Sequence, residues 1–287
     1  MFIFQPCIDS NEIAKKRQSE LSIPRAFAST LGASAVISAR EGRYFIGNGE
    51  SVDWKKEVDH AIASKVSIPP DQALPQKKLA KYDRTTIQVT NETTILAARR
   101  LVNKGERPLA LNFANGIQPG GGFLSGALAQ EECLCRSSAL YVTLENDPMY
   151  EHQRHRPLPD STDWAIYSPD VPVFRADDGR AFKKPWLLSF LSCAAPVATR
   201  MDRKTASILL ARRIERVLAI AESYGHSELV LGAWGCGAFG NDPLETALSF
   251  RNALEVQFSS SFAEIIFAIT DWSPQRKFLG PFREVFK

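Results

Sequence analysis

Two apolar runs, 108–113 (Pro-Leu-Ala-Leu-Asn-Phe) and 228–232 (Glu-Leu-Val-Leu-Gly), each pass directly into a glycine-rich loop and then into a helical pattern. A short apolar run bounded by glycines reads as a buried strand. Around these two, the chain alternates from Thr85 onward. Residues 86–89 form a strand, and 93–102 a helix capped by Asn91 or Thr93. A helix over 128–144 follows the first glycine loop, and residues 186–193 form another apolar strand. A long amphipathic helix over 204–224 ends at Gly225, a helix spans 243–258, and a last strand covers 264–270. Such alternation predicts an α/β sandwich with a mixed, largely parallel sheet. Ligands of these sheets bind beyond the carboxyl ends of the strands, where both glycine loops fall.

The first third differs. Residues 9–31 read as helical, capped at Ser10 or Asn11 and interrupted at Pro24. Residues 42–52 predict a hairpin around Asn48-Gly49, and 67–78, with Pro69, Pro70 and Pro75, a loop. We therefore expect an accessory N-terminal extension over 1–84, mostly helical, packed on a catalytic domain over 85–287. Residues 145–185, charged and proline-rich with Arg154, Arg156, Arg175 and Arg180, predict a long surface excursion.

Bulk properties narrow the function. With 287 residues, 44% hydrophobic, the chain can bury a sizeable core. A net charge of +3, from 35 basic and 32 acidic residues, gives no electrostatic case for nucleic-acid binding. No run is long enough for a membrane span, and the N-terminus lacks the basic region of a secretion signal. The odd, scattered cysteines (7, 133, 135, 193 and 236) fit a reducing cytoplasm better than a disulfide framework. Cys133 and Cys135 are too close for a C-x-x-C motif, and no metal site is expected.

Three constellations carry chemistry. Asn112 and Asn115, followed by Gly120, Gly121 and Gly122, place short amides and bare backbone at a strand end, suited to sugar hydroxyls and phosphates. An ordinary asparagine-rich turn would use the same residues. Next come Gln130, Glu131 and Glu132. Adjacent helical residues point about 100° apart, so the two carboxylates cannot flank one bond and must differ in role. Acidic residues at a helix start also simply complement its dipole. The third is 232–242, whose Gly232, Gly235, Gly237 and Gly240 resemble a diphosphate cradle but match neither G-x-G-x-x-G nor a Walker A loop. Of its aromatics, Trp234 suits the core and Phe239 a ligand contact.

Taken together, these residues resemble the microbial-type poly(ADP-ribose) glycohydrolases of the macrodomain superfamily. The resemblance lies in the triple glycine followed by Gln130-Glu131-Glu132, its continuation over 133–141, and Gly232-Ala233-Trp234-Gly235-Cys236-Gly237. It implies a three-layer α/β/α macrodomain-like sandwich and a hydrolase that releases ADP-ribose from a polymer or an ADP-ribosylated protein. It further implies that Glu132 is the general acid and Glu131 binds and orients the ribose. Asn112, Asn115, Gly120, Gly121, Gly122 and Gln130 would line the ribose and phosphate side. Gly235, Cys236, Gly237, Ala238 and Phe239 would cradle the diphosphate, and Asn91 and Thr93 would lie near the adenine. No cofactor, nucleic acid or membrane is required, and the implied enzyme is a monomer. Two alternatives stay open: an ADP-ribose-binding module without turnover, and a hydrolase of mono-ADP-ribosyl linkages on protein or nucleic acid.

Overall fold

A computed structural model describes residues 1–75, 82–156 and 160–287. In chain order its elements are β1 (Phe2–Phe4), α1 (Asn11–Leu21), α2 (Arg25–Glu41), β2 (Arg43–Phe45), β3 (Ser51–Asp53), α3 (Lys55–Ser64), β4 (Val66–Ile68), β5 (Thr85–Thr90), α4 (Thr94–Val102), β6 (Leu109–Phe113), α5 (Gln130–Ser137), α6 (Leu140–Leu144), α7 (Pro148–Arg154), β7 (Ala165–Arg175), β8 (Ala181–Cys193), α8 (Arg203–Ser223), β9 (Glu228–Leu231), α9 (Pro243–Val256), β10 (Glu264–Ala268) and α10 (Leu279–Val285).

Eight strands form one sheet in the order β1-β5-β10-β9-β6-β8-β7-β4. Pairing is parallel from β1 through β8, and antiparallel for β8–β7 and β7–β4. Side chains alternate across the sheet. Leu109 and Leu111, Leu229 and Leu231, and Ile265 and Phe267 join one core cluster with Ile214, Leu218, Phe250 and Phe282 of α8, α9 and α10. Ala110, Val230 and Ile266 face the other cluster, with Ala35, Val58, Leu101 and Leu134 of α2, α3, α4 and α5. The period of two in each strand thus builds a three-layer α/β/α sandwich, as expected.

The chain before Thr85 is woven into this sheet. β1 lies on β5 at one edge and β4 on β7 at the other. α1 begins at Ser10, whose Oγ accepts from the Ile13 N–H at 3.2 Å. Pro24 separates it from α2, which runs to Glu41 and closes on Gly42 in the left-handed region. The expected hairpin is present as β2–β3. Trp54, fully buried just beyond it, packs its ring 4.5 Å from Phe174 of β7 and 5.2 Å from Tyr44. Each such aromatic pair contributes about 0.5–1.5 kcal/mol beyond the area it buries.

Three expectations are corrected. The described residues of 145–185 are no surface excursion. They form α7, all of β7 and the start of β8, and β7 is buried along most of its length. Arg175 is buried there, its guanidinium donating to the Leu31 and Arg136 carbonyls, and burial pushes its pKa down to about 10. Charge and proline content misled because strands β7 and β8 pair with each other, and prolines 172 and 185 are tolerated within them. The helix expected over 128–144 breaks at Ser138, which is extended and bridges Val173, so α5 and α6 are separate. The loop expected over 67–78 begins inside β4, and its residues 76–78 lie outside the described residues.

Candidate active site

The site exists because two neighbouring strands part. β6 and β9 pair only at Leu109–Leu229 and Ala110–Val230. Beyond Ala110 the edge of β6 has no strand beside it, and unpaired buried backbone groups are costly. The Gln130 side chain replaces the missing strand: its Oε1 accepts from the Phe113 N–H at 2.9 Å and its Nε2 donates to the Leu111 carbonyl at 2.8 Å. Nε2 also donates to Thr94 Oγ1 at 3.1 Å. Gln130, read from sequence as a substrate contact, therefore spends its amide on the fold while its body lines the cleft.

The Asn112 amide is likewise engaged within the fold. It shares the face of Ala110, toward α5, and is fully buried. Its Nδ2 donates to Ser192 Oγ at 3.0 Å and to Glu131 Oε1 at 3.3 Å. Glu131 is 3% exposed, and its Oε2 accepts from the Asn115 N–H at 2.7 Å. Burial pushes its carboxyl up to about 8, with the neighbouring Glu132 adding to the rise and the Asn115 and Asn112 donors opposing it. Glu132 is held on one oxygen only: Oε1 accepts from the Gly122 N–H at 3.0 Å, while Oε2 has no donor among the described residues. The adjacent carboxylates thus differ sharply, one clamped on both oxygens and the other half free.

The triple glycine makes this approach possible. Gly121 has φ +56°, and a Cβ there would lie 2.5 Å from Glu132 Oε1 and 3.0 Å from Glu131 Oε2. The bare backbone makes room for the carboxyl groups themselves. Asn115 tightens the preceding turn, its Oδ1 accepting from the Ile117 and Gln118 N–H groups at 3.0 Å each, and its Nδ2 has no acceptor among the described residues.

The loop after β9 faces these groups. Within 235–239 the Cys236 N–H bonds to the Ala233 carbonyl, whereas the N–H groups of Gly235, Gly237, Ala238 and Phe239 have no acceptor among the described residues. A Cβ on Gly237 would meet nothing within 4 Å, so that backbone faces open space. Cys236 points away: it is buried against Thr246, and burial pushes its thiol up to about 12. Trp234 is fully buried, and Phe239 is half-buried on the cavity wall.

Two cavities share the walls Phe113, Ala129, Gln130, Ala233 and Gly237. One, of about 210 Å³, holds Asn115, Glu131, Glu132 and Phe239. The other, of about 330 Å³, is lined mainly by apolar groups including Leu21, Leu128, Trp272 and Phe278, with Thr93 and Asp177. Thr93 caps α4 and donates to Asp177 Oδ2 at 2.7 Å, so it lies at this second cavity. Asn91 does not. It is fully buried, donating to Asp9 and to the Asp271 carbonyl and accepting from the Asp271 N–H. It fastens the N-terminal segment to the turn after β10. Sequence reasoning missed Asp177, Trp272 and Phe278. A tryptophan in the turn that follows the last strand was a usable signal for Trp272, whereas Asp177 is placed by the β7–β8 pairing and has no local mark.

Among the described residues, no group of three or more His, Cys, Asp or Glu side chains could hold a metal ion, and no helix is long and apolar enough to cross a membrane.

The family model for the microbial-type PARG catalytic domain matches residues 33–176. The search of curated proteins found no match. Among solved structures, the chain is similar to a poly(ADP-ribose) glycohydrolase (PARG) from Thermomonospora curvata, with 37% identity, a TM-score of 0.86, and coverage of 91% of this chain and 100% of the other. A structure of that enzyme bound to the inhibitor ADP-HPD matches at 36% identity, TM-score 0.82, with 91% and 100% coverage. The poly(ADP-ribose) glycohydrolase of Deinococcus radiodurans in complex with ADP-ribose matches at 36% identity, TM-score 0.75, covering 82% of this chain and 98% of the other. The chain belongs to the microbial-type PARG catalytic-domain family.

Proposed function

We propose that this protein is a poly(ADP-ribose) glycohydrolase, which cleaves the ribose–ribose O-glycosidic bond and releases ADP-ribose. The observation that carries the reading is the asymmetry of the carboxylates. Among the described residues, Glu132 Oε2 has no donor, and it shares a cavity with four backbone N–H groups that have no acceptor. Those donors, at Gly235, Gly237, Ala238 and Phe239, suit a diphosphate. The distal ribose then falls in the smaller cavity, between Asn115 Nδ2 and the glutamates, and the adenosine in the larger apolar one.

Burial pushes the Glu131 carboxyl up to about 8, which favours its neutral form beside Glu132. Glu132, the member with a free oxygen, passes a proton to the leaving ribose oxygen as C1″ gains oxocarbenium character. The carboxylate so formed takes a proton from the attacking water, restoring the starting state. Glu131, clamped by Asn112 and Asn115, positions the ribose and Glu132 rather than donating to the leaving group. Every group in the site comes from one chain, so a monomer suffices. The five cysteines are all free, as a reducing cytoplasm would leave them. Neither a membrane nor a nucleic acid enters the chemistry, and we read the domain as a macrodomain.

The test is a time course on labelled poly(ADP-ribose), resolving ADP-ribose from oligomers, with wild type and Glu132→Gln. The variant is expected to lose about three orders of magnitude or more in rate while binding ADP-ribose nearly as well. Equal turnover by both proteins refutes the assignment of Glu132. Binding of ADP-ribose by wild type without any turnover establishes a binding module instead.

A further inference from the structure

We propose that Arg25 and Arg154 form a receiving surface for the leaving side of the polymer, gripping the diphosphate of the unit behind the scissile bond. The inference rests on the glycohydrolase reading and extends it beyond the bound terminal unit. A general acid must lie beside the leaving oxygen, so the rest of the chain departs on the side of Glu132. That side is built by the 115–126 loop, whose Gly122 N–H holds Glu132. The loop has no charge of its own, since no charged residue lies between Arg107 and Glu131. Its charge is supplied from outside. Arg25, at the start of α2, donates from Nε to the Ser125 carbonyl at 2.8 Å, and Ser125 Oγ donates in turn to the Gly122 carbonyl at 3.0 Å. Arg154, at the end of α7, donates from Nη1 to the Ile117 carbonyl at 2.8 Å.

Both guanidiniums are exposed and docked on opposite ends of the same loop. Neither has a carboxylate partner among the described residues. Arg156, two residues on, is closed on Asp160 at 2.6 Å, which shows what a neutralised neighbour looks like here. Among the described residues, the docking bonds leave both Nη groups of Arg25, and Nε and Nη2 of Arg154, unengaged. A fixed guanidinium fork with spare donors matches phosphate oxygens well. Each polymer unit carries a diphosphate, so the chain behind the scissile bond presents such charges at regular spacing. α2 also sits closely on the loop. Ser29 Oγ donates to the Leu124 carbonyl at 2.6 Å, and a Cβ on Gly126 would lie 2.1 Å from the Arg25 carbonyl oxygen.

The test measures kcat/KM on long poly(ADP-ribose) from low to moderate salt, and ADP-ribose Kd by calorimetry. It compares wild type with Arg25→Gln, Arg154→Gln, the double variant, and the two Arg→Lys variants. The double variant is expected to lose roughly tenfold in kcat/KM at low salt. Its log–log salt dependence should flatten by about 0.7 for each phosphate that the variant no longer neutralises. ADP-ribose Kd should stay within about twofold, because neither arginine lines the two cavities proposed for the terminal unit. The Lys variants, which keep the charge and a donor for each carbonyl, should retain most of the rate. Unchanged kcat/KM and salt slope in the double variant overturn the proposal. So does a parallel rise in ADP-ribose Kd, which would mean the arginines only shape the loop. Wild-type protein that leaves the polymer intact refutes the glycohydrolase reading, and this surface with it.

Discussion

Replacing Glu131 by glutamine should make the protein's stability respond less to pH, by an amount the structure sets. Glu131 is 3% exposed, and burial pushes it up from 4.5 to about 8. Between those values the folded protein holds a proton that the unfolded chain has released. The stability this contributes is complete below about pH 4.5 and is lost as pH rises through about 8. At about 1.36 kcal/mol per pH unit, a rise of this size corresponds to roughly 5 kcal/mol, an upper scale since local water relaxes it. The glutamine does not titrate, so Glu131→Gln escapes this loss. It carries a separate, constant cost. The two oxygens of Glu131 accept from different donors, Asn112 Nδ2 and the Asn115 N–H, and an amide has only one acceptor oxygen. The mismatch costs about 1–3 kcal/mol at every pH. Urea unfolding of both proteins at pH 5 and pH 8.5 separates the two effects, because other titrating groups cancel between them. The variant should be the less stable at pH 5, and by pH 8.5 the gap should close by several kcal/mol or reverse. A difference that stays within about 1 kcal/mol across the two conditions refutes the claim that burial holds a proton on Glu131.

The remaining expectations concern the walls of the site. Gly121→Ala would place a methyl 2.5 Å from Glu132 Oε1 at a backbone φ of +56°, displacing the carboxylate; turnover should fall about 100-fold, as for ångström-scale misplacement of a catalytic group, and a crystal structure of the variant would show Glu132 moved. Gln130→Leu removes the amide that completes β6, leaving the Phe113 N–H and the Leu111 carbonyl unpaired; a loss of about 2–4 kcal/mol should be seen in chemical denaturation. The rate on polymer should decline above about pH 8, as Glu131 loses the proton that burial retains; a flat profile to pH 9.5 would contradict a role for neutral Glu131 in turnover.

Much of the layout was legible in advance, for identifiable reasons. The buried strands β6 and β9 show as apolar runs because helices cover both of their faces. Glycine loops announce a strand-end site, and Gln130-Glu131-Glu132 after a triple glycine carries the family resemblance. What could not be read was which way a polar side chain turns its atoms. Asn112 and Gln130 look like ligand contacts in a linear reading, yet their amides complete a strand edge and clamp a carboxyl. Asn91 looks like a helix cap and is a clasp between Asp9 and Asp271.

The sequence by itself determined the sandwich, the two loops that meet above it, and the pair of glutamates between them. These depend on local periodicity and on backbone freedom at glycine, which neighbouring residues encode. Only the tertiary structure decided that residues 2–4 and 66–68 close the two edges of the sheet, that residues 165–175 run inside it, and that Glu131 is enclosed while Glu132 keeps one oxygen free. Those outcomes depend on pairings between residues far apart in the chain. Burial, and with it the proton on Glu131, is set by what the whole fold places around a group.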